Sequence, residues 1–166
     1  MTGTALQIIQ WLAGQKQDVV WDIKKHRKKR SLDSNAYYWK LVTAIAEATN
    51  TAKPEVHNVL LRRYGQPQGI DGRLVTVYIP DTEKAAKQAI LAEDYHIKPT
   101  SYVQVGSKGQ VFRQYVMLRG SRTYDSREMS VLIDGALDEC KQAGIHIELS
   151  REELERYGQK RDMEKL

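Results

Sequence analysis

The chain has 166 residues, of which 41% are hydrophobic and 28% charged, with 26 Lys+Arg against 21 Asp+Glu for a net charge of +5. This length and balance suit one globular domain with a single core, and exclude a collagenous or disordered chain. No apolar run approaches the roughly 20 residues of a membrane span, and residues 1–23 lack the basic start and cleavage site of a signal peptide. Cys140 is the single cysteine, so no internal disulfide or cysteine-rich zinc site can form, and a reducing cytoplasm is the expected home.

Residues 4–13 predict a short helix with Leu6, Ile9 and Ala13 at helical spacing, ended by Gly14. Residues 18–23 read as a strand, continued outward by the cationic block Lys24, Lys25, His26, Arg27, Lys28, Lys29 and Arg30. Ser31-Leu32-Asp33-Ser34-Asn35 is a helix-start cluster with Asp33 as the expected N-cap. The helix should run to about Asn50, with Tyr37, Leu41, Ala44, Ile45 and Ala48 as its apolar stripe. Pro54 opens the next helix, lined by Val56, Val59 and Leu60, and Gly65 closes it as a C′ residue.

Residues 66–72 read as a loop and 74–79 as a strand. Asp81 or Thr82 caps an alanine-rich helix to about Ala92. Extended segments over 102–105 and 111–118 flank the turn Gly106-Ser107-Lys108-Gly109. After a polar connector over 120–124, Asp125 and Glu128 form a capping box. The helix that follows carries Met129, Leu132, Ile133, Ala136, Leu137 and Cys140 on one face and stops at Gly144. Ser150 with Glu153 predicts a second capping box and a terminal helix to about Gly158. The expected class is α+β, with amphipathic helices on a small, mainly antiparallel sheet, in one domain over 1–166. Its parts are helix, strand and helix over 1–50, a variable middle with a hairpin over 51–118, and C-terminal helices over 119–166.

Catalytic signals are weak. His26, His57, His96 and His146 fit no metal-ligand spacing, and His57, on a helix, reads as a surface or partly buried structural residue. Cys140 falls on an apolar stripe and reads as a small core residue. Asp81 with the distant Glu139 and Lys141 spells a nuclease-like pattern, but its second half lies on a helix. Asp81 is better explained as a cap and Glu139 as part of a solvated helix face.

Nucleic-acid binding is the stronger reading. The basic block leads into a helix start offering Ser31, Ser34 and free backbone N–H groups, a natural phosphate site. Tyr37, Tyr38 and Trp39 follow in succession, about 100° apart around the helix, so all three cannot enter one core. Trp39 falls off the stripe and becomes an interface residue or a stacking platform for bases. Arg113, Arg119, Arg122 and Arg127, with Ser121 and Thr123, form a second cationic set near another helix start.

Arg30-Ser31-Leu32-Asp33-Ser34-Asn35 followed by Trp39 resembles the R-S-L-D-x-N…W signature of the NinB family, the Orf recombination mediators of lambdoid and other phages. Gly120-Ser121-Arg122-Thr123, with Glu128, Met129, Leu132, Ile133 and Gly144, is similar to that family's polar turn and amphipathic helix. Ser150-Arg151-Glu152-Glu153 opens the last helix as the family does. Where the family can carry an arginine just after the serines, this chain has Thr123 and places the charge at Arg122. The resemblance covers both ends and is weak over 51–118.

It implies a non-catalytic single-stranded DNA-binding protein, an intertwined homodimer that helps a phage recombinase displace the host single-strand-binding protein. No cofactor and no metal are expected. The DNA-binding set expected from both lines of reasoning is Lys24, Lys25, Arg27, Lys28, Lys29, Arg30, Ser31, Ser34, Asn35, Trp39, Arg119, Ser121 and Arg122. The alternatives are a metal-dependent or structure-specific nuclease of phage recombination, and an interaction adaptor that does not bind DNA.

Overall fold

A computed structural model describes residues 4–16, 19–21 and 32–147. The element order is α1 (Ala5–Ala13), α2 (Leu32–Thr49), α3 (Lys53–Tyr64), β1 (Gly69–Ile70), β2 (Arg73–Leu74), β3 (Thr76–Pro80), α4 (Glu83–Leu91), β4 (His96–Val105), β5 (Val111–Leu118) and α5 (Ser126–Gln142). The α+β class is as expected, with helices packed on a small antiparallel sheet. The basic block, Ser31 and the helix expected from Ser150 lie outside the described residues. The described part of the segment expected as the first strand, 19–21, joins no strand.

The main core lies between α2, α3 and α5, and its centre is Tyr38, Leu41, Val42, Leu60, Leu61, Met129, Leu132 and Ile133. Asp125 caps α5 as expected: its side chain accepts from the Glu128 N–H, and the Glu128 carboxylate accepts from the Asp125 N–H. These bonds satisfy N–H groups that a helix start would otherwise leave unpaired. Cys140 is buried in this core, as its place on the stripe predicts.

The buried face of α2 is turned from the expected stripe. Tyr38, Val42 and Ala46 join Tyr37 and Leu41 inside, while Ala48 is exposed. Two partners explain it: α2 packs on both α3 and α5, so its apolar surface must be wider than one stripe. The helix begins at Leu32, which puts Asp33 inside it and not at the N-cap.

Gly65 does follow α3, but with φ −78° and ψ 171° it is extended and needs no left-handed conformation. Its lack of a side chain matters for a different reason. A Cβ there would sit 2.4 Å from the Leu61 carbonyl oxygen and 2.9 Å from the Tyr124 hydroxyl. Gly135 on α5 likewise admits the ring of Tyr64, whose nearest atom a Cβ would meet at 2.4 Å.

The loop expected over 66–72 runs into a small hairpin, β1 with β2, turned at Asp71-Gly72 with φ of 50° and 75°; it takes Leu74, so the strand expected from 74 begins at Thr76. Positive φ at both central residues is the geometry that favours Asp-Gly in two-residue hairpins. The larger sheet has the order β3-β5-β4 with both pairings antiparallel. β5 matches the expected 111–118, and β4 starts earlier than expected, at His96. β3 and β4 flank β5 and are joined through α4, which covers one sheet face through Ala89 against Ile97 and Tyr115. Thr82, not Asp81, caps α4 by accepting from the Ala85 N–H.

No described helix is long and apolar enough to cross a membrane. α1 is capped by Thr4 and buries none of its residues.

Candidate nucleic-acid interface

Trp39 is the expected site residue that the fold displays most clearly. It lies on α2 four residues after Asn35, so the two share one helix face. The indole is 38% exposed, and its ring lies 4.9 Å from that of His57, tilted by 32°. Tyr38 meets it edge-on at 5.8 Å. Ser34 and Asn35, half-buried, occupy the first turn of α2.

Behind Trp39 runs a polar chain that links three elements. Tyr38 Oη lies 2.7 Å from His57 Nδ1, and the His57 ring stands edge-on to His96 at 5.0 Å. His96 Nδ1 lies 2.7 Å from Asn58 Oδ1. The Asn58 amide nitrogen donates to the carbonyls of Ile90 and Ala92, at 2.8 and 2.7 Å. With both amide hydrogens used, Oδ1 faces His96 and can only accept, so His96 Nδ1 carries the hydrogen. In the neutral ring Nε2 is then the acceptor, and it lies beside Gly120, where a Cβ would be 3.6 Å away.

Burial lowers the His57 pKa to about 4, with His96 adding to the shift. His96 is lowered too, by burial and then by the Arg122 charge. Burial raises Tyr38 well above its ordinary value, with a further contribution from Tyr124. The network is therefore neutral near pH 7, and its charge is supplied from outside by Arg122. Protonation of His96 at Nε2 adds a second cation beside Arg122 as pH falls.

The two arginines of the turn after β5 have opposite situations. Arg119 donates to both carboxylate oxygens of Glu128 at 2.7 and 3.1 Å, and to the Thr123 carbonyl. It also lies over the Tyr124 ring at 5.5 Å. Arg119 is one of the expected DNA contacts, and its guanidinium here holds the turn to the capping box of α5. Arg122 is exposed, has no ion-pair partner among the described residues, and acts on His96. Ser121, also expected to contact DNA, is buried, so its hydroxyl is not offered at the surface.

Two more sequence expectations change. Arg113 forms a two-pronged pair with Asp81 at 2.8 and 2.9 Å, which removes it from the cationic set and gives Asp81 a role other than capping. Glu139 is not a plainly solvated carboxylate: it accepts from Tyr64 at 2.7 Å and pairs with Arg63. Those hydrogen bonds, the Tyr64 one foremost, lower its pKa. Among the described residues, no three His, Cys, Asp or Glu side chains gather as metal ligands.

Sequence reasoning missed His57, Asn58, His96 and the inward turn of Tyr38. No local spacing marks them, because α3 and β4 meet only in the folded chain. The one available signal was the run of three aromatics, which required at least one ring to leave the core. No family model, no curated protein and no solved structure matches this chain.

Proposed function

We propose that the chain is a single-stranded DNA-binding recombination mediator of the NinB/Orf kind, acting without catalysis in the cytoplasm of a phage-infected bacterium. The observation that supports this reading best is Trp39, a half-open indole stacked at a tilt on His57, with the Arg122 charge felt at His96 on the far side of that ring. Such a ring stacks on any base, and neighbouring cations hold the phosphates. Lys24, Lys25, Arg27, Lys28, Lys29 and Arg30 immediately precede the helix that carries Trp39, and they supply the counterion-release part of the affinity. The protein acts as a homodimer, with the host single-strand-binding protein and a phage recombinase as its protein partners.

The test is a fluorescent oligonucleotide titrated with protein, with and without magnesium. Binding without cleavage is expected. Cleavage would replace this reading by the nuclease one, and absence of binding would leave the adaptor. Trp39→Ala should weaken binding by about 1–3 kcal/mol with the salt slope nearly unchanged. Arg27→Ala/Lys28→Ala should reduce that slope by about 0.7 per lost phosphate contact. If the double variant keeps wild-type affinity and slope, the basic block takes no part.

A further inference from the structure

The two faces of the β3-β5-β4 sheet differ. Residues directly opposite each other across an antiparallel pair share a face. Val77, Ile79, Ile97, Tyr115 and Met117 belong to the face packed on α4. The other face carries Tyr78 opposite Gln114, Lys98 opposite Val116, and His96 opposite Leu118. Here Tyr78 and Tyr102 are 39% and 54% exposed, with their rings edge-on at 6.2 Å. Gln114 fixes this pair by donating to the Tyr78 hydroxyl at 3.1 Å. β3, β4 and β5 contain no Asp or Glu, and Lys98 is exposed.

At its inner end this face meets the helical core at Leu118, and a chain of rings from His96 through His57 leads from there to Trp39. His96, which backs that site through His57, and Lys98 lie two residues apart on the same side of β4. From the level of His96 to that of Tyr78 is four residues of β5, roughly 13 Å along the strands. A surface with two half-open aromatic rings in edge contact, one of them hydrogen-bonded by an amide, a lysine and no carboxylate on its strands suits the bases of an extended polyanion. An apolar partner would leave Lys98 and the Tyr78–Gln114 bond poorly matched.

We infer that the open sheet face is a second base-binding platform, on which a single strand leaving Trp39 passes Lys98 and stacks its bases on Tyr78 and Tyr102. The inference rests on the DNA-binding reading above and extends it to the middle of the chain. It predicts a length dependence: an oligonucleotide too short to leave Trp39 ignores the sheet, and a longer one uses both platforms.

The experiment compares wild type, Tyr78→Ala/Tyr102→Ala, Tyr78→Phe/Tyr102→Phe and Trp39→Ala on a ladder of oligothymidylates. Each variant is checked by circular dichroism and light scattering. The alanine pair should lose about tenfold or more in affinity for long oligonucleotides and nothing for the shortest that binds. The phenylalanine pair keeps the rings and should restore most of the loss. Photocrosslinking with 5-iodouracil should place bases at Tyr78 or Tyr102. If the folded alanine pair matches wild type at every length while Trp39→Ala weakens binding, this inference fails and the DNA-binding reading stands. If the alanine pair instead lowers the assembly mass and leaves affinity intact, the face is a protein contact and the inference is overturned. If wild type binds no oligonucleotide at all, both fall together.

Discussion

The helical half and the sheet half of this molecule are held by different means. Around α2, α3 and α5 a contiguous cluster of fifteen side chains is buried, Leu118 from the end of β5 and Tyr124 among them, whereas the separate cluster between the sheet and α4 buries Ala89, Ile97 and Tyr115. The sheet half relies on its ladder and on polar clamps from α3. Asn58 grips the end of α4 and His96 together, and Arg62 donates to the Ile97 carbonyl at 2.8 Å. A thinly packed layer with one open face can present side chains to a ligand, while the helical half supplies most of the burial. The contrast teaches that burial and display are divided between the halves, with α3 as the joint.

The largest effect should come from the helical core. Leu132→Ala should cost about 2–5 kcal/mol in urea unfolding, because a fully buried leucine leaves a cavity that collapses only in part. Both halves should lose structure in one transition, and a sheet that survives the loss of the helical signal would break the proposed dependence.

Acid should act next, through the joint. His57 has a folded-state pKa of about 4, below its ordinary 6.5. The unfolded chain therefore binds a proton in that window that the folded chain does not. Stability is complete above pH 6.5 and falls as pH drops toward 4, by up to about 3 kcal/mol. Burial lowers His96 in the same sense. Urea melts between pH 7 and 4 measure this slope, and His57→Gln should flatten it.

Asn58→Ala should cost about 1–3 kcal/mol, since it strands two carbonyls and the His96 N–H. Hydrogen exchange should show the loss first in α4 amides, with α5 protected until global unfolding. Uniform acceleration would deny the joint its special place.

The smallest effect on stability belongs to Arg122, and it separates the two arginines of the turn. Arg119→Ala should lower stability by about 1–3 kcal/mol, because a half-buried carboxylate and a carbonyl lose their donor. Arg122→Ala should change stability by less than about 0.5 kcal/mol and instead weaken oligonucleotide binding, with a shallower salt slope. Equal stability losses would mean that Arg122 is as structural as its neighbour.

The sequence was legible where neighbours in the chain decide the outcome. The Asp125–Glu128 box and the turn at Gly106–Gly109 depend on contacts a few residues apart. It misled where a distant partner intervenes. Asp81 has the composition of a cap, but Arg113, on a strand far along the chain, takes its carboxylate and leaves capping to Thr82. The first half of β4 was hidden by Pro99, which an edge strand accepts at the register shift between Pro99 and Val103. Of the candidate site, the exposure of Trp39 could be read from helical periodicity. Its histidine backing could not, because His57 and His96 are neither helix neighbours nor strand partners until the tertiary fold forms.

The topology of the sheet has a consequence for synthesis. β5 is the last strand in the chain and the central one in space, so β3 and β4 have no mutual hydrogen bonds to make before residues 111–118 are available. The helical core is also incomplete until α5, the last described helix, arrives. A nascent or truncated chain ending before Val111 therefore holds two unpaired strands and an uncovered α2–α3 pair. Such intermediates expose apolar surface and strand edges, which makes them substrates for chaperones and proteases. The arrival of β5 and α5, more than any early local event, sets the moment at which this fold is complete.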